Sequence, residues 1–482
     1  MMAYRQLLFV ILKLTLIVVW ATLFIQGLEH YSGSRLLYSV FSFMFLAVLL
    51  SGITKQINYG YFFLVWMLWL GFWVKMTVHL LVRYPFQEPV GFFMGTPKSW
   101  DEVLLISTIG GFSVLCARYL YGFFSKFFIL NPPQKKYSPP IWYVPTRKYL
   151  WGGLIVTNVA LALANAFLGI QQSGLVPRTI LIWPFNAVIY WLLGNGISLM
   201  VATLLWWDIS LKKSISATVY FIPIAGFFST VSLLSRAVYV FQTIPQYFAL
   251  FKNRQKIIGI SIQNFIGIVI TFLLLFVLTM PLVNGLRNHY YSNVPLKSML
   301  IGPSGSYNGL VNSLIGLKRF SVDRWVGLDG VMAVSSYPKK SNELFLQDLT
   351  EHGEIGKSTL YQEICQSNYR FMDMSKYQFA SLPGAVAFFY FTGHWWAVYL
   401  GMFFLVLLLL ASERLVMIFT SNPLLGALWG ISTANAVAQM GIAPRGLLIY
   451  FFEMICGIGT ISLLQTQWFS NMIMRISFLK KK

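Results

Sequence analysis

The sequence contains few charged residues, and very few of them are acidic. Of its 482 residues only 11% are charged, with 15 Asp and Glu against 36 Lys and Arg. Soluble globular domains carry about 25% charged residues, so a chain this long with 57% hydrophobic residues is not a soluble protein. The composition predicts a membrane protein with several transmembrane helices.

The sequence also lacks the motifs of several common chemistries. Its three cysteines, Cys116, Cys365 and Cys456, are scattered, which argues against a disulfide or zinc framework. It has no Walker sequence, no paired His or Cys at metal-ligand spacing and no Gly-x-Ser-x-Gly elbow. The net charge of +21 does not predict a nucleic-acid partner, because the basic residues lie mainly in short loops between apolar runs. We expect no cofactor and no bound metal.

The apolar runs predict about twelve transmembrane helices. A helix needs about 20 residues to cross roughly 30 Å of hydrocarbon. The span at residues 236–251 is shorter and is bent by Pro245. The predicted spans are residues 7–25, 36–53, 60–82, 103–124, 149–170, 180–207, 216–233, 236–251, 257–283, 394–418, 423–440 and 446–465.

Charge in the loops predicts the orientation. The loops after the first even-numbered spans are basic, with Lys55, then Lys126 to Lys148, then Lys212 and Lys213, which places them in the cytoplasm. If residues 216–251 formed one helix, the later loops would violate this rule. We therefore predict a turn at Ser235, which puts both termini in the cytoplasm of a bacterial inner membrane.

Residues 284–392 are the one hydrophilic segment large enough to form a small subdomain. We predict a large extracytoplasmic loop there, between a first membrane unit, 1–283, and a last one with a basic tail, 393–482. Two amphipathic helices are expected in the loop, at 342–350 and at 359–369, the second beginning with a Thr-x-x-Gln capping box.

Cations near the predicted outer face are the main functional candidates. Arg236 interrupts a long apolar run, and an arginine within the membrane is by default a functional hypothesis. Lys75, His79 and Arg83 follow at i, i+4 and i+8 on one face of the third span. Snorkelling explains Arg83 equally well, but Lys75 lies about two turns deeper. Glu88, in the loop that follows, is either a general base or a counter-ion for these cations.

A second cluster lies in the large loop. Residues 319–330 contain Arg319, Arg324 and Asp329 together with Asp323. Such a cluster forms either a set of internal salt bridges or part of a binding site. His394 begins the tenth span beside two tryptophans, where it either anchors the membrane interface or acts as a base.

The arrangement resembles the O-antigen polymerase and ligase superfamily. The features shared with that family are the span number, a single large outer loop late in the chain, a Ser-Arg step at Ser235-Arg236 that opens a mid-chain helix, and an Arg-x10-Gly pattern from Arg319 to Gly330. A second Arg-x10-Gly in an earlier outer loop is missing, which leaves polymerase and ligase both open. Membrane glycosyltransferases that use a metal generally place acids in the first outer loop, which here has only Glu29.

The resemblance implies an inverting, metal-independent transfer of a glycan from a polyprenyl pyrophosphate donor to a glycan or lipid-glycan acceptor. Arginines would neutralise the diphosphate by bidentate hydrogen bonds, and a base would deprotonate the attacking hydroxyl. We assign Arg236 and Arg324 to the diphosphate, Arg319 and Lys75 to supporting charge and His394 to the base, with Glu88 or Asp329 in reserve. Membrane lipids and other polysaccharide-assembly proteins are the expected partners.

Two other classes of function fit the same residues. Cations in a membrane cavity would also suit a flippase or transporter of a lipid-linked sugar. A non-catalytic membrane component of polysaccharide assembly is the third reading. The single large loop near the cations favours the transferase, because a flippase needs cations along its whole lumen.

Overall fold

The protein is an all-α multi-pass membrane protein. The computed structural model describes residues 2–54, 58–127, 139–253, 262–292, 322–351, 354, 356–440, 444–466 and 468–472. One two-residue antiparallel pairing joins β1 (Gly174–Leu175) to β2 (Tyr377–Gln378). The helices in chain order are α1 Met2–His30, α2 Arg35–Gly52, α3 Tyr59–Val82, α4 Pro97–Phe127, α5 Tyr143–Leu168, α6 Phe185–Ser210, α7 Phe221–Leu233, α8 Arg236–Lys252, α9 Ile262–Ser292, α10 Leu328–Ser336, α11 Asn342–Thr350, α12 Leu360–Ile364, α13 Ala385–Phe389, α14 Trp395–Thr420, α15 Pro423–Gln439 and α16 Pro444–Leu464.

Within the described residues, nine helices are long and apolar enough to cross a membrane. They match nine of the twelve predicted spans. The other three predicted spans correspond to shorter helices, α7, α8 and α15. All three pack against long helices of the bundle.

Contacts between distant loops sort the helix ends onto two faces. On one face, the Ser173 N–H donates to the Leu233 carbonyl at 2.9 Å and β1 pairs with β2. We name this the loop-bearing face, because residues 322–392 lie there. On the other face, the Trp142 indole donates to the Leu464 carbonyl at 3.4 Å. We name it the basic face, after Lys212 and Lys213 in the loop at that end.

The chain reverses direction between α7 and α8, which confirms the predicted break. Helix α7 ends at Leu233, Leu234 adopts a left-handed conformation with φ of 53°, and α8 begins at Arg236 after an extended Ser235. The Arg287 guanidinium at the end of α9 donates two hydrogen bonds to the Leu234 carbonyl, at 3.0 and 2.7 Å. The turn between α7 and α8 and the end of α9 therefore both lie on the loop-bearing face.

The large loop shares its hydrophobic core with the membrane helices. Leu328, Val331 and Phe391 belong to the same buried cluster as Phe45 and Val103 from α2 and α4, and eight of the nine residues of α10 are buried. Helix α9 also continues to Ser292, so the predicted loop boundary at residue 284 lies inside a helix. The loop is thus built into the bundle, and its described part has no separate core of its own.

The two helices predicted in the loop from local sequence patterns are both present. Helix α11 spans the predicted residues Asn342–Thr350. Helix α12 begins after Thr359, whose side chain forms the predicted capping box with Gln362. It ends at Ile364, earlier than predicted, because Gln366 takes a positive φ of 58° that a helix does not allow.

Candidate functional site

The site is organised around Lys75, a fully buried lysine in α3. Its ammonium group is hydrogen-bonded to the carboxylate of Asp329 on α10 and donates to the Asp323 carbonyl at 2.9 Å. A buried charge is tolerated only with such compensation, because its desolvation costs several kcal/mol. Lys75 therefore fastens the large loop to the third span.

His79 repeats this contact one turn further along α3. Its Nε2 lies 2.7 Å from Asp323 Oδ1, and its Nδ1 lies 2.9 Å from the Tyr84 carbonyl. A carbonyl can only accept, so Nδ1 carries a hydrogen. The imidazole also stacks on Phe86, with ring centroids 3.8 Å apart. The i, i+4 spacing thus places both cations against one stretch of the loop.

Local backbone features of α3 make this approach feasible. A Cβ added at Gly71 would lie 2.3 Å from the Val326 carbonyl oxygen, so only glycine lets the loop come this close. The six residues Trp69–Val74 form a π-helical turn directly before Lys75. Such turns change the direction in which following side chains point and are frequent at functional sites.

Each of the two aspartates leaves one oxygen without a partner. Asp323 Oδ2 and Asp329 Oδ1 are buried and accept no hydrogen bond from the described residues. A buried acceptor without a donor costs about 1–3 kcal/mol. Both atoms are shut off from solvent, so this cost is part of holding the loop against α3.

Glu88 lies beside this pair, in the loop after α3. Burial raises the pKa of its carboxyl, the negative charge of Asp329 adds to that shift, and the positive charges of Arg324 and Lys75 oppose it. A carboxylate with a raised pKa is a stronger base than an ordinary one. Lys75 takes Asp329 as its hydrogen-bonded counter-ion, so Glu88 is not the direct counter-ion of Lys75.

Three arginines are linked electrostatically, and one of them, Arg324, acts on Glu88. Arg324 is exposed and acts electrostatically on both Glu88 and Arg236. Arg236, half-buried at the start of α8, also lies within electrostatic reach of Arg287, and its Nη1 is 3.5 Å from Met280 Sδ. A guanidinium group within reach of two others favours the binding of an anion in this region.

Tyr369 is a site residue that sequence reasoning missed. Burial raises the pKa of its hydroxyl, and the charges of Glu88, Arg324 and Arg287 also act on it. Its ring stacks on Phe379 with centroids 5.0 Å apart. No motif marks this tyrosine, since it lies at the end of the predicted amphipathic helix at 359–369.

The structure therefore brings together five of the predicted residues: Lys75, Glu88, Arg236, Arg324 and Asp329. His394 lies apart. It is exposed at the start of α14, its backbone N–H donates to Thr392 Oγ1 at 3.1 Å and its ring stacks on Trp396. None of its described contacts reaches the carboxylates or the arginines. Arg319 falls outside the described residues.

Among the described residues, no group of three or more His, Cys, Asp and Glu side chains is placed to hold a metal ion. No family model matches the chain, and no match was found among curated proteins or solved structures.

Proposed function

We propose that the protein transfers a glycan from a polyprenyl pyrophosphate carrier to a hydroxyl group of a glycan or lipid-glycan acceptor. One observation carries the proposal: Glu88, a carboxyl with a raised pKa, lies within electrostatic reach of Arg324, which in turn acts on Arg236. A base beside a group of arginines is what this transfer requires. The resemblance to O-antigen polymerases and ligases agrees with it.

The transfer needs two things from the protein. The Glu88 carboxylate takes the proton from the acceptor hydroxyl as that oxygen attacks the anomeric carbon. The bond from the anomeric carbon to the diphosphate oxygen breaks, and its electron pair leaves with the diphosphate. Arg236, Arg287 and Arg324 neutralise the charge that develops on the leaving group. Attack opposite the leaving group inverts the anomeric centre.

Glu88 is assigned as the base in preference to His394. The imidazole of His394 is exposed and its contacts remain within its own segment, whereas Glu88 lies within electrostatic reach of Arg324 and of both aspartates. Lys75 and His79 are positioning residues, because they hold Asp329 and Asp323 rather than facing open space. Arg319 keeps its expected role as supporting charge.

The same proposal fixes the orientation: twelve spans in a bacterial inner membrane, the loop-bearing face outside and both termini in the cytoplasm. The lysines of the basic face support it. Single cysteines at two exposed positions, Ser375→Cys and Lys213→Cys, in a background without native cysteines, test it on intact cells. An impermeant maleimide should label the first and spare the second until the cells are permeabilised, and the reverse pattern would refute the orientation.

A transfer assay in detergent tests the chemistry. Detergent abolishes the two sides that a flippase needs, so only a transferase should release polyprenyl pyrophosphate and yield a new glycan product. Arg236→Lys keeps the charge but loses the planar fork, and we expect a loss of about tenfold or more in kcat/KM. Arg83→Lys is the control, because Arg83 is exposed and is not among the charges acting on Glu88.

Two outcomes would count against this mechanism. Sensitivity of the transfer to a chelator would mean that a metal, rather than the arginines, neutralises the leaving group. Absence of product with matched donor and acceptor would favour the flippase or a non-catalytic assembly role.

A further inference from the structure

A cavity lies beside Arg236, at the start of α8. Its volume is about 270 Å³, and α6, α8, α15 and α16 line it. It begins at Ala237, the residue after Arg236, and extends along α15 from Gln439 to Leu428. Eleven residues of helix rise about 16 Å, so the cavity extends well into the bundle.

The described lining of this cavity is mainly apolar, with several polar side chains and no charged one. Polar side chains inside a membrane bundle are costly and mark ligand pathways. An ionised ligand would have to lose its hydration without an opposite charge in the lining itself to compensate. We name the space the amide cavity after its six main polar residues, which are Asn195, Gln242, Ser432, Asn435, Gln439 and Tyr450.

Hydrogen bonds hold part of this lining rigid and leave the rest available. Gln242 Nε2 donates to the carbonyls of Leu193 and Gly194, at 2.6 and 2.8 Å, within a π-helical turn of α6. Gln439 Nε2 donates to Asn435 Oδ1 at 2.7 Å. Within the described chain, the amide nitrogen of Asn435 and the whole side-chain amide of Asn195 have no hydrogen-bond partner. They can bind a ligand.

The amide cavity is connected to the loop that carries Arg324. The Gly384 N–H donates to the Gln439 carbonyl at 3.1 Å, and a Cβ at Gly384 would lie 3.2 Å from the side chain of Val326. Val326 is two residues from Arg324. A substrate held by the arginines therefore has the cavity within its immediate surroundings.

We propose that the amide cavity binds a neutral sugar residue of the substrate, which restricts the substrate class to glycans with an uncharged sugar at this position. Amide groups both donate and accept, as sugar hydroxyls do. A cavity of about 150 Å³ holds a benzene ring, so 270 Å³ accommodates one pyranose ring with its hydroxyls. This inference rests on the proposed function for the source of the sugar, but its binding test does not require turnover.

The test uses octyl glucoside as a neutral, membrane-soluble sugar probe, below its micelle concentration, on protein in lipid nanodiscs. Ala436→Cys places a thiol in the cavity lining, in a background without native cysteines, and the rate of maleimide labelling is measured. We expect labelling to slow about fivefold when the probe is at about four times its Kd. Octyl glucuronide, with the same chain and an ionised sugar, should give no protection.

Matched glycine variants separate filling of the cavity from general disturbance. A Cβ at Gly194, which lines the cavity, meets nothing within 4 Å, and the same is true of Gly152, which lies outside it on α5. Gly194→Leu should abolish the protection by octyl glucoside, whereas Gly152→Leu should retain it. In the transfer assay Gly194→Leu should raise the donor KM by about tenfold with little change in kcat.

The outcomes are distinguishable from failure of the proposed function. Equal protection by octyl glucoside, octyl glucuronide and octanol would show that the cavity takes the alkyl chain and would overturn the inference, as would no protection by saturating octyl glucoside. Protection by octyl glucoside alone, in a protein that yields no transfer product, would support the sugar site and refute the transferase. Normal donor KM in an active Gly194→Leu enzyme would refute the sugar site.

Discussion

At the scale of single residues, Lys75 shows most clearly how this chain uses a buried charge. Removing one partner of a buried ion pair leaves the other uncompensated, at a cost of about 3–5 kcal/mol. We therefore expect Lys75→Met to lower the thermal unfolding temperature strongly and the double variant Lys75→Met/Asp329→Leu to recover much of the loss. Arg83→Met, at an exposed position directly after the end of α3, should change little. Equal destabilisation by the single and double variants would mean that Lys75 does not pair with Asp329 in solution.

Glu88 should set the acid limb of the pH–rate profile. A base must be ionised, and burial and Asp329 raise the pKa of Glu88, so kcat/KM should fall at a higher pH than an ordinary carboxyl would cause. Glu88→Gln should lower kcat by about 10²–10⁴-fold and remove this limb.

Glu88→Gln should lower activity without lowering the stability of the protein. A carboxyl whose pKa is raised by folding favours the protonated form, so its contribution to stability is lost as the pH rises through that pKa. Glu88→Gln should therefore unfold at the same or a higher temperature than the parent at neutral pH. A variant that loses both activity and stability would show that Glu88 is a structural residue instead.

The sequence identified these residues but not their partners. Helical spacing was sufficient to place Lys75 and His79 on one face, and the cost of a charge in the membrane was sufficient to single out Arg236. The aspartates that receive Lys75 and His79 lie more than 240 residues further along the chain, and no local pattern encodes such a pairing. His394 was predicted as a base from its position beside two tryptophans at the start of a span, whereas no local pattern marks Tyr369.

At the scale of secondary-structure elements, α11 contains a pH-sensitive carboxyl. Burial, and then the charge of Glu351, raises the pKa of Asp348 to about 7 from 3.8. The stabilising effect of the protonated form is complete below the lower value and is lost progressively up to the higher one. We expect α11 to be less stable at pH 8 than at pH 5, by on the order of 2 kcal/mol.

Hydrogen exchange of the α11 amides, corrected for the intrinsic rate at each pH, measures this difference. Asp348→Asn keeps the shape and cannot ionise, so its α11 should exchange alike at both values. Asp373→Asn is the control, because Asp373 is exposed and pairs with Lys376. A parent protein without any pH dependence in α11 would contradict the prediction.

Elements were predictable where their signals were local. The capping box at Thr359 and the turn at Leu234 follow from short-range chemistry and from loop charge, and both are present. The inward packing of α10 was not foreseen. Its sequence is short and apolar, and a hydrophilic loop around it concealed a segment that belongs to the core.

At the scale of the whole molecule, a glycine contact holds α3 against α15. A Cβ at Gly60 would lie 2.5 Å from the Gly430 carbonyl oxygen, and Glu413 of α14 accepts the backbone N–H groups of Tyr59 and Gly60 at 2.8 and 2.7 Å. Three helices therefore meet at one point near the basic face. Because backbone cannot move aside as a side chain can, small residues are required there.

We expect Gly60→Ala to destabilise the protein by about 1–3 kcal/mol through overpacking. Gly122→Ala in α4 is the matched control, since its Cβ meets nothing within 4 Å. It should leave the unfolding temperature unchanged or raise it, because alanine is the better helix former by about 1 kcal/mol. Similar unfolding temperatures for Gly60→Ala and the parent would show that α3 and α15 are further apart.

The shared core also determines when the protein can finish folding during its synthesis. Helix α10 packs against α4, which the ribosome has already delivered, and α4 also packs along α14, which is translated about sixty residues after α10. Until α14 has left the translocon, the apolar surfaces that these helices will cover remain open. Biogenesis therefore passes through a stage in which the chain has inserted its early helices and must be kept from aggregating or being degraded. A nascent chain released before residue 420 would stop at this stage.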